Sequence, residues 1–310
     1  MFSKNIKSEN QQVNLSFLKE YEIELWIKRE DLIHTYVSGN KFRKLKYNIL
    51  EAKHQQKDTL LTFGGAFSNH IVATAVAGNL NGLKTIGIIR GEELGINFSK
   101  VIAENSTLRV AHNNGMKFEF IQRDVYRKKS TPSFIKSIKE KLGEFYLIPE
   151  GGTNKLAIKG CEEVLTNEDE KFNYICSAIG TGGTIAGLIN STKSHQQVIG
   201  FPALKGDFLY DEIKQLVTKT NWSLETEYHF GGYGKFTKEL IEFINQFKSD
   251  TGILLDPIYT GKMIYGIVDK IKKKQFEKGS KILAIHTGGI QGIDGFNRRL
   301  AKKNMDLIQV

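Results

Sequence analysis

Proline and cysteine are scarce in this 310-residue chain, with four prolines and two cysteines, Cys161 and Cys176. Two cysteines cannot build a disulfide framework, and neither stands in a CxxC or Cys/His ligand spacing. A disulfide-stapled scaffold and a metal site are therefore not expected. No stretch approaches the about 18 consecutive apolar residues that cross a bilayer, and Met1-Phe2-Ser3-Lys4-Asn5-Ile6-Lys7 has no apolar run of the signal-peptide kind. The expectation is a cytoplasmic, metal-free protein with no membrane partner. Internal repeats and low-complexity tracts are also lacking. Charge is in surplus on one side only, with 44 Lys and Arg against 34 Asp and Glu, a net +10. The basic residues are spread along the chain, and the one dense run, Lys272-Lys273-Lys274, falls in a polar helical stretch, so no nucleic-acid partner is expected.

Thirty glycines and 40% hydrophobic content indicate a globular chain that can bury one large core or two moderate ones, punctuated by glycine turns. Short apolar, β-branched runs alternate with longer helical patterns: Ile23–Ile27, Thr59–Phe63, Thr85–Ile89, Lys117–Ile121, Tyr174–Ala178, Gln197–Phe201 and Ile282–His286. Strand followed by helix, repeated, predicts an α/β fold with mostly parallel sheets. The nearly continuous apolar strands predict helices on both faces. In such folds ligands lie beyond the carboxyl ends of the strands, so the loop after each run is where function is sought.

Four loops lead into helices. Gly64-Gly65-Ala66-Phe67-Ser68-Asn69-His70 follows the run ending at Phe63, and Gly180-Thr181-Gly182-Gly183-Thr184 follows the run ending at Ala178. Ile253–Pro257, read as a strand, leads to Tyr259-Thr260-Gly261-Lys262, and the last run ends in His286-Thr287-Gly288-Gly289. Gly180–Thr184 offers unobstructed backbone N–H groups, a helix start and two hydroxyls, a cradle suited to phosphate. It lacks the GxxxxGK[ST] pattern of a nucleotide loop, and Ile185 stands where the last glycine of GxGxxG belongs. A plain tight turn remains an alternative. Ser68 or Asn69 could simply cap a helix, with His70 partly buried, or the three could form a polar cluster facing a carboxylate or a ring hydroxyl. Tyr259 could be a core tyrosine, or an acid, base or nucleophile. Lys41, in Ser38-Gly39-Asn40-Lys41-Phe42-Arg43-Lys44-Leu45, sits at a helix entry with Lys44 one turn later on the same face. A basic helix start is ordinarily a solvated face. An inward-pointing Lys41 beside the charge of Lys44 would instead be an amine nucleophile of lowered pKa.

These segments, in this order, resemble the pyridoxal-phosphate enzymes of the tryptophan-synthase-β fold group, specifically the 1-aminocyclopropane-1-carboxylate deaminase and D-cysteine desulfhydrase family. The resemblance runs from Lys28-Arg29-Glu30-Asp31-Leu32 to His286-Thr287-Gly288-Gly289. It implies a two-domain fold of open twisted sheets, with a large cofactor-binding domain from 1–44 and 157–310 and a small domain at 45–156. It also implies a homodimer using pyridoxal 5′-phosphate on a small amino-acid substrate. By resemblance Lys41 holds the cofactor covalently and serves as catalytic base, and Lys44 lies near the cofactor phosphate. Thr181, Gly182, Gly183 and Thr184 form the phosphate loop, Asn69 reaches the ring hydroxyl, and Thr287 lies at the cofactor. Ser68 and His70 match the substrate-carboxylate side, Ser68 being also a candidate catalytic residue. Tyr259 and Tyr233 flank the substrate, with Thr260 beside them.

Within the family, the deaminase form carries a glutamate after the reactive tyrosine and a leucine before the last Gly-Gly. Here those positions are Thr260 and Thr287. Both departures point to the D-cysteine desulfhydrase form, an α,β-elimination giving pyruvate, ammonia and sulfide. The cyclopropane deaminase, a racemase or dehydratase on the same scaffold, and a non-catalytic binder of cofactor or amino acid are the alternatives. His70 is followed by Ile71-Val72, where relatives often carry small or polar residues with a basic one, so the carboxylate side of the pocket departs from the pattern.

Overall fold

Each of the seven apolar runs becomes a strand in the computed structural model, which describes Phe2 and residues 6–310. The reading of the N-terminus falls partly on Met1, Ser3, Lys4 and Asn5, which lie outside the described residues. The strands are β1 (Asn10–Val13), β2 (Glu24–Lys28), β3 (Thr59–Gly64), β4 (Lys84–Arg90), β5 (Met116–Ile121), β6 (Tyr146–Ile148), β7 (Tyr174–Ile179), β8 (Gln197–Pro202), β9 (Trp222–Leu224) and β10 (Lys281–Ile285). Three of them, β1, β6 and β9, have no counterpart in the sequence reading, because three or four residues are too few for a periodicity to show. The segment Ile253–Pro257, by contrast, is not a strand. It is an irregular stretch whose Ile253 and Leu255 are buried without a sheet partner, so its apolar pattern reflects burial alone.

The strands form two sheets. The first has the order β1-β2-β10-β7-β8-β9 and is parallel apart from β1, which runs antiparallel to β2. The second, β5-β4-β3-β6, is parallel throughout. All six residues of β3 and the five inner residues of β4 are buried, as expected of strands covered on both faces. The helices Lys238–Thr251 and Thr260–Lys272 supply Leu240, Ile244, Met263 and Ile267 to the core on one face of the first sheet. Leu188 and Ile213 pack on its other face. No helix among the described residues is long and apolar enough to cross a membrane.

The helix Asn40–His54 decides where the two layers meet. Its apolar face, Phe42, Leu45, Ile49 and Ala52, packs with Leu60 of β3 and with Val72 and Val76, on the side of the second sheet. Divisions at 44/45 and 156/157 would each cut a helix, this one and Lys155–Glu162. The helix start is held from the turn after β2 by a buried ion pair: Glu30, fully buried, accepts from Arg43 Nε at 2.9 Å and Nη2 at 2.7 Å. A second buried pair, Lys28 with Asp169 at 2.8 Å, joins β2 to the turn ahead of β7. Gly39, just before the helix, has φ +57°, and a Cβ there would stand 2.0 Å from the Thr287 carbonyl oxygen, so no other residue fits.

Removing one member of a buried ion pair leaves the other uncompensated, at a cost of about 3–5 kcal/mol. Arg43→Met should lower stability by that amount in urea unfolding. Lys84→Ala, which breaks the exposed 2.8 Å pair with Asp58, should leave it nearly unchanged. Equal losses from the two would show that the Glu30–Arg43 pair does not anchor the helix.

Candidate active site

The carboxyl ends of β3, β7 and β10 converge on the start of the helix Asn40–His54. Lys41 is the second residue of that helix, and its Nζ donates to Asn40 Oδ1 at 2.9 Å. Burial first, and the neighbouring Lys44 charge second, bring its pKa down from 10.5 to about 7. Near neutral pH a large share of Lys41 is therefore the free amine, the form that attacks a carbonyl or takes a proton. The solvated-face reading fails for Lys44 as well, which is 2% exposed.

Lys44 Nζ donates to Gly151 O and Thr153 Oγ1, both at 3.0 Å, and lies 3.4 Å from Thr181 Oγ1. Among the described residues no carboxylate pairs with it, and burial lowers its pKa. Thr153 and Thr181 share a 2.6 Å hydroxyl contact. Beyond them the helix Gly183–Ser191 begins, with Gly182 left-handed at φ +76°. A first turn leaves N–H groups without intrahelical partners. A buried ammonium, two hydroxyls and a helix start together make a cradle for a phosphate dianion. Thr184 is turned from it, accepting from Asn40 Nδ2 at 2.9 Å, so the Asn40 amide links the Lys41 amine to the phosphate-loop helix.

The loop after β3 supplies Ser68, Asn69 and His70. Ser68 holds the N-cap position of the helix Asn69–Leu80 without making a capping hydrogen bond. Its hydroxyl is thus uncommitted, and the simple capping role does not apply. Asn69 Oδ1 is buried without a partner among the described residues, as are Ser38 Oγ and His70 Nδ1. A Cβ on Gly289 would lie 3.2 Å from both Asn69 Nδ2 and Asp256 Cγ, so the loops after β3 and β10 touch here. His70 is buried, with Nε2 2.8 Å from Thr62 Oγ1, which itself donates to the Ile148 carbonyl at 2.9 Å. With the Thr62 proton on the Ile148 carbonyl, we assign His70 the neutral tautomer that donates through Nε2, which leaves a lone pair on Nδ1. Burial, with Lys41 and Lys44 nearby, holds the His70 pKa well below 6.5. In this arrangement His70 offers an acceptor and not the donor that a carboxylate requires, which departs from the role expected for it. On that side the Ser68 hydroxyl is the uncommitted donor among the loop's side chains.

Tyr259 precedes the helix Thr260–Lys272, and its ring stacks edge-on with Tyr233 at 6.2 Å. It packs over Gly180, where a Cβ would stand 3.3 Å from its hydroxyl, beside the phosphate loop. Burial, with Tyr233 and Asp256 adding to it, pushes its pKa well above 10, so it is a protonated phenol, an acid. Tyr233 is half-exposed. Thr260 is not available to a substrate. It is fully buried, and its hydroxyl donates to Asp256 Oδ2 at 2.7 Å. The substrate contact expected of it is corrected to a structural one. Thr287 has no side-chain hydrogen bond, and its carbonyl faces Gly39.

The sequence reading missed Thr153, Asn40 and Asp256 as site residues. Asp256 Oδ1 accepts from the N–H groups of Ile258 and Tyr259, and Oδ2 from the N–H and hydroxyl of Thr260, which fixes the turn that aims Tyr259. Thr153 follows Gly151-Gly152, both left-handed, after the three-residue β6. That pair of glycines before a threonine was the available signal. Among the described residues no group of three or more His, Cys, Asp or Glu is placed to hold a metal ion.

The residues fit pyridoxal 5′-phosphate. There is an amine of lowered pKa, a phosphate cradle one helical turn away, and in the loop after β3 a buried asparagine oxygen without a partner among the described residues. A family model described as pyridoxal-phosphate dependent enzyme matches residues 11–288. The bifunctional D-cysteine desulfhydrase/1-aminocyclopropane-1-carboxylate deaminase, mitochondrial, of Arabidopsis thaliana is 34% identical over 297 residues, 87% of this chain and 73% of that protein. A putative 1-aminocyclopropane-1-carboxylate deaminase of Pyrococcus horikoshii is 32% identical over 302 residues, 91% and 89% of the two chains. The crystal structure of an ACC deaminase homologue superposes with a TM-score of 0.78 at 28% identity, covering 96% of this chain and 94% of that one. The chain therefore belongs to the pyridoxal-phosphate dependent enzymes and, within them, to the 1-aminocyclopropane-1-carboxylate deaminase/D-cysteine desulfhydrase family.

Proposed function

We propose that this enzyme is a lyase that eliminates the β-substituent of a small D-amino acid, with D-cysteine as the leading substrate. D-cysteine and water would give pyruvate, ammonium and hydrogen sulfide. The observation that carries this reading is the pairing of a largely neutral lysine with a protonated tyrosine: Lys41 near 7 and Tyr259 well above 10. Elimination needs a base at Cα and an acid at the leaving group, and two groups with pKa values moved apart supply both. Bound pyridoxal phosphate supplies the electron sink for charge developing at the amino-acid Cα. In our assignment Lys44, Thr153, Thr181 and the N–H groups of Gly182 to Thr184 hold its phosphate, and Asn69 holds its ring hydroxyl. Lys41 Nζ takes the Cα proton, Tyr259 Oη donates toward the departing sulfur, and Ser68 with backbone N–H groups receives the carboxylate. Tyr233 closes the other side of the substrate.

Thr260 and Thr287 support elimination over ring opening. The position after Tyr259 carries no carboxylate, and the threonine hydroxyl is committed to Asp256, so no acid at that position can hold the ring nitrogen protonated. A weaker electron sink suits a thiolate leaving group better than an unactivated carbon–carbon bond. The second reading is the cyclopropane deaminase, favoured by the names of the Pyrococcus and Arabidopsis relatives. We retain a homodimer and a cytoplasmic location as parts of the proposal, the second on the two buried, unpaired cysteines.

A panel of D-cysteine, L-cysteine, D-serine and 1-aminocyclopropane-1-carboxylate separates the readings. Pyruvate should form fastest from D-cysteine, with sulfide in equal amount, and turnover of the cyclopropane substrate alone would sink elimination. The amine of Lys41 is tested apart from substrate by following cofactor uptake into the stripped protein. Only the neutral amine reacts, so the rate should rise about tenfold per pH unit below the pKa and level off above about 7. An inflection above about 9 would make Lys41 an ordinary lysine.

A further inference from the structure

Lys262 is 2% exposed, three residues beyond Tyr259 and in the first turn of the same helix. Burying an ammonium is costly, and its usual compensation is a carboxylate. Lys262 has none in a salt bridge among the described residues. Its Nζ donates instead to two backbone carbonyls, His229 O at 2.8 Å and Gly232 O at 2.9 Å. Burial brings its pKa down to about 8, with Asp256 opposing the fall.

Those carbonyls belong to the turn that carries Tyr233. The turn is left-handed at Phe230 (φ +52°), Gly231 (+88°), Gly232 (+112°) and Gly234 (+64°). A run of this kind is neither helix nor strand and has few hydrogen bonds of its own. These are Gly232 N to His229 O at 3.0 Å, Lys235 N to Gly232 O at 3.1 Å, and Gly231 N to His229 Nδ1 at 2.9 Å. Arg299 Nη2 reaches Gly234 O at 3.2 Å from outside. From within, the turn is tied down by Lys262. One helical turn thus carries Tyr259 at its start and, through Lys262, the segment that places Tyr233 against it. An apolar side chain would fill the same volume at lower cost but would leave the Gly232 carbonyl with a weaker set of donors.

We propose that Lys262 is a positioning residue, whose two hydrogen bonds to the His229–Gly234 turn set Tyr233 against Tyr259 and so shape the substrate side of the site. The inference rests on the reading that these two tyrosines flank the substrate. The test is a double-mutant cycle on the holoenzyme, assayed with whichever panel substrate turns over, beside amide hydrogen exchange, which needs no substrate. Lys262→Met should lower kcat/KM about tenfold or more. On a Tyr233→Ala background the same change should cost almost nothing, because the residue through which it acts is gone. Lys262→Arg, which keeps two donors, should recover part of the loss. Exchange at residues 229–235 should quicken in Lys262→Met, while the helix Thr260–Lys272 keeps its protection. If Lys262→Met does not fold, Lys262→Gln and Lys262→Arg carry the same cycle. Full additivity with Tyr233→Ala, or unchanged exchange at 229–235, would overturn the proposal. Faster exchange without turnover of any panel substrate would uphold the clamp and overturn the elimination reading alone.

Discussion

The Glu30–Arg43 ion pair is the constraint on which the site depends. It joins the first sheet to the helix of Lys41 inside the protein, where neither partner can relax into water. Both N–H···O contacts are under 3 Å, and Glu30 also accepts from Ser8 Oγ at 2.6 Å. The Glu30 carbonyl takes the N–H of Gly39 at 2.9 Å, so one residue holds the helix by side chain and by backbone. With Gly39 pressed on the Thr287 carbonyl, the first turn has a single orientation. Lys41 is aimed by these contacts, since among the described residues its side chain has only the Asn40 amide as a partner.

Two lysines one turn apart would repel each other on a surface only weakly. Inside this site the same repulsion acts with little screening, and desolvation adds to it. Lys44 keeps a set of oxygen acceptors and is suited to an anion, whereas Lys41 has one amide and gives up its proton near neutrality. The chemistry of each follows from its surroundings and not from its residue type. Tyr259 is driven the opposite way by the same low polarity, because burial penalises its phenolate. A single desolvated space thus provides a base and an acid from residues that in water would be an ammonium and a weakly acidic phenol.

The strands long enough to show a pattern were legible, as were the parallel sheets and the four loops. The order of those loops, with Lys41 ahead of them, carried the family resemblance that the comparisons bear out. What escaped was short or irregular. Thr153 follows a three-residue strand, and the stretch before Tyr259 reads as a strand because burial alone gives it an apolar pattern. Thr260 and His70 were visible as polar residues in functional loops, yet the Thr260 hydroxyl is committed to Asp256 and the His70 Nε2 to Thr62. No spacing rule reveals such partners, since Thr62 lies in a strand that reads as plain core.

The sequence by itself determined the α/β class, the loops that bear the chemistry and the lysine at their centre. These are local matters, set by apolar periodicity, glycine turns and residue order. The tertiary structure alone decided which groups are charged, which are already hydrogen-bonded, and that Lys28 and Glu30 pair with Asp169 and Arg43 inside the protein. Those properties depend on desolvation and on partners distant along the chain, as Lys28 and Asp169 are at 141 positions apart. Burial and long-range pairing exist only once the chain has closed on itself.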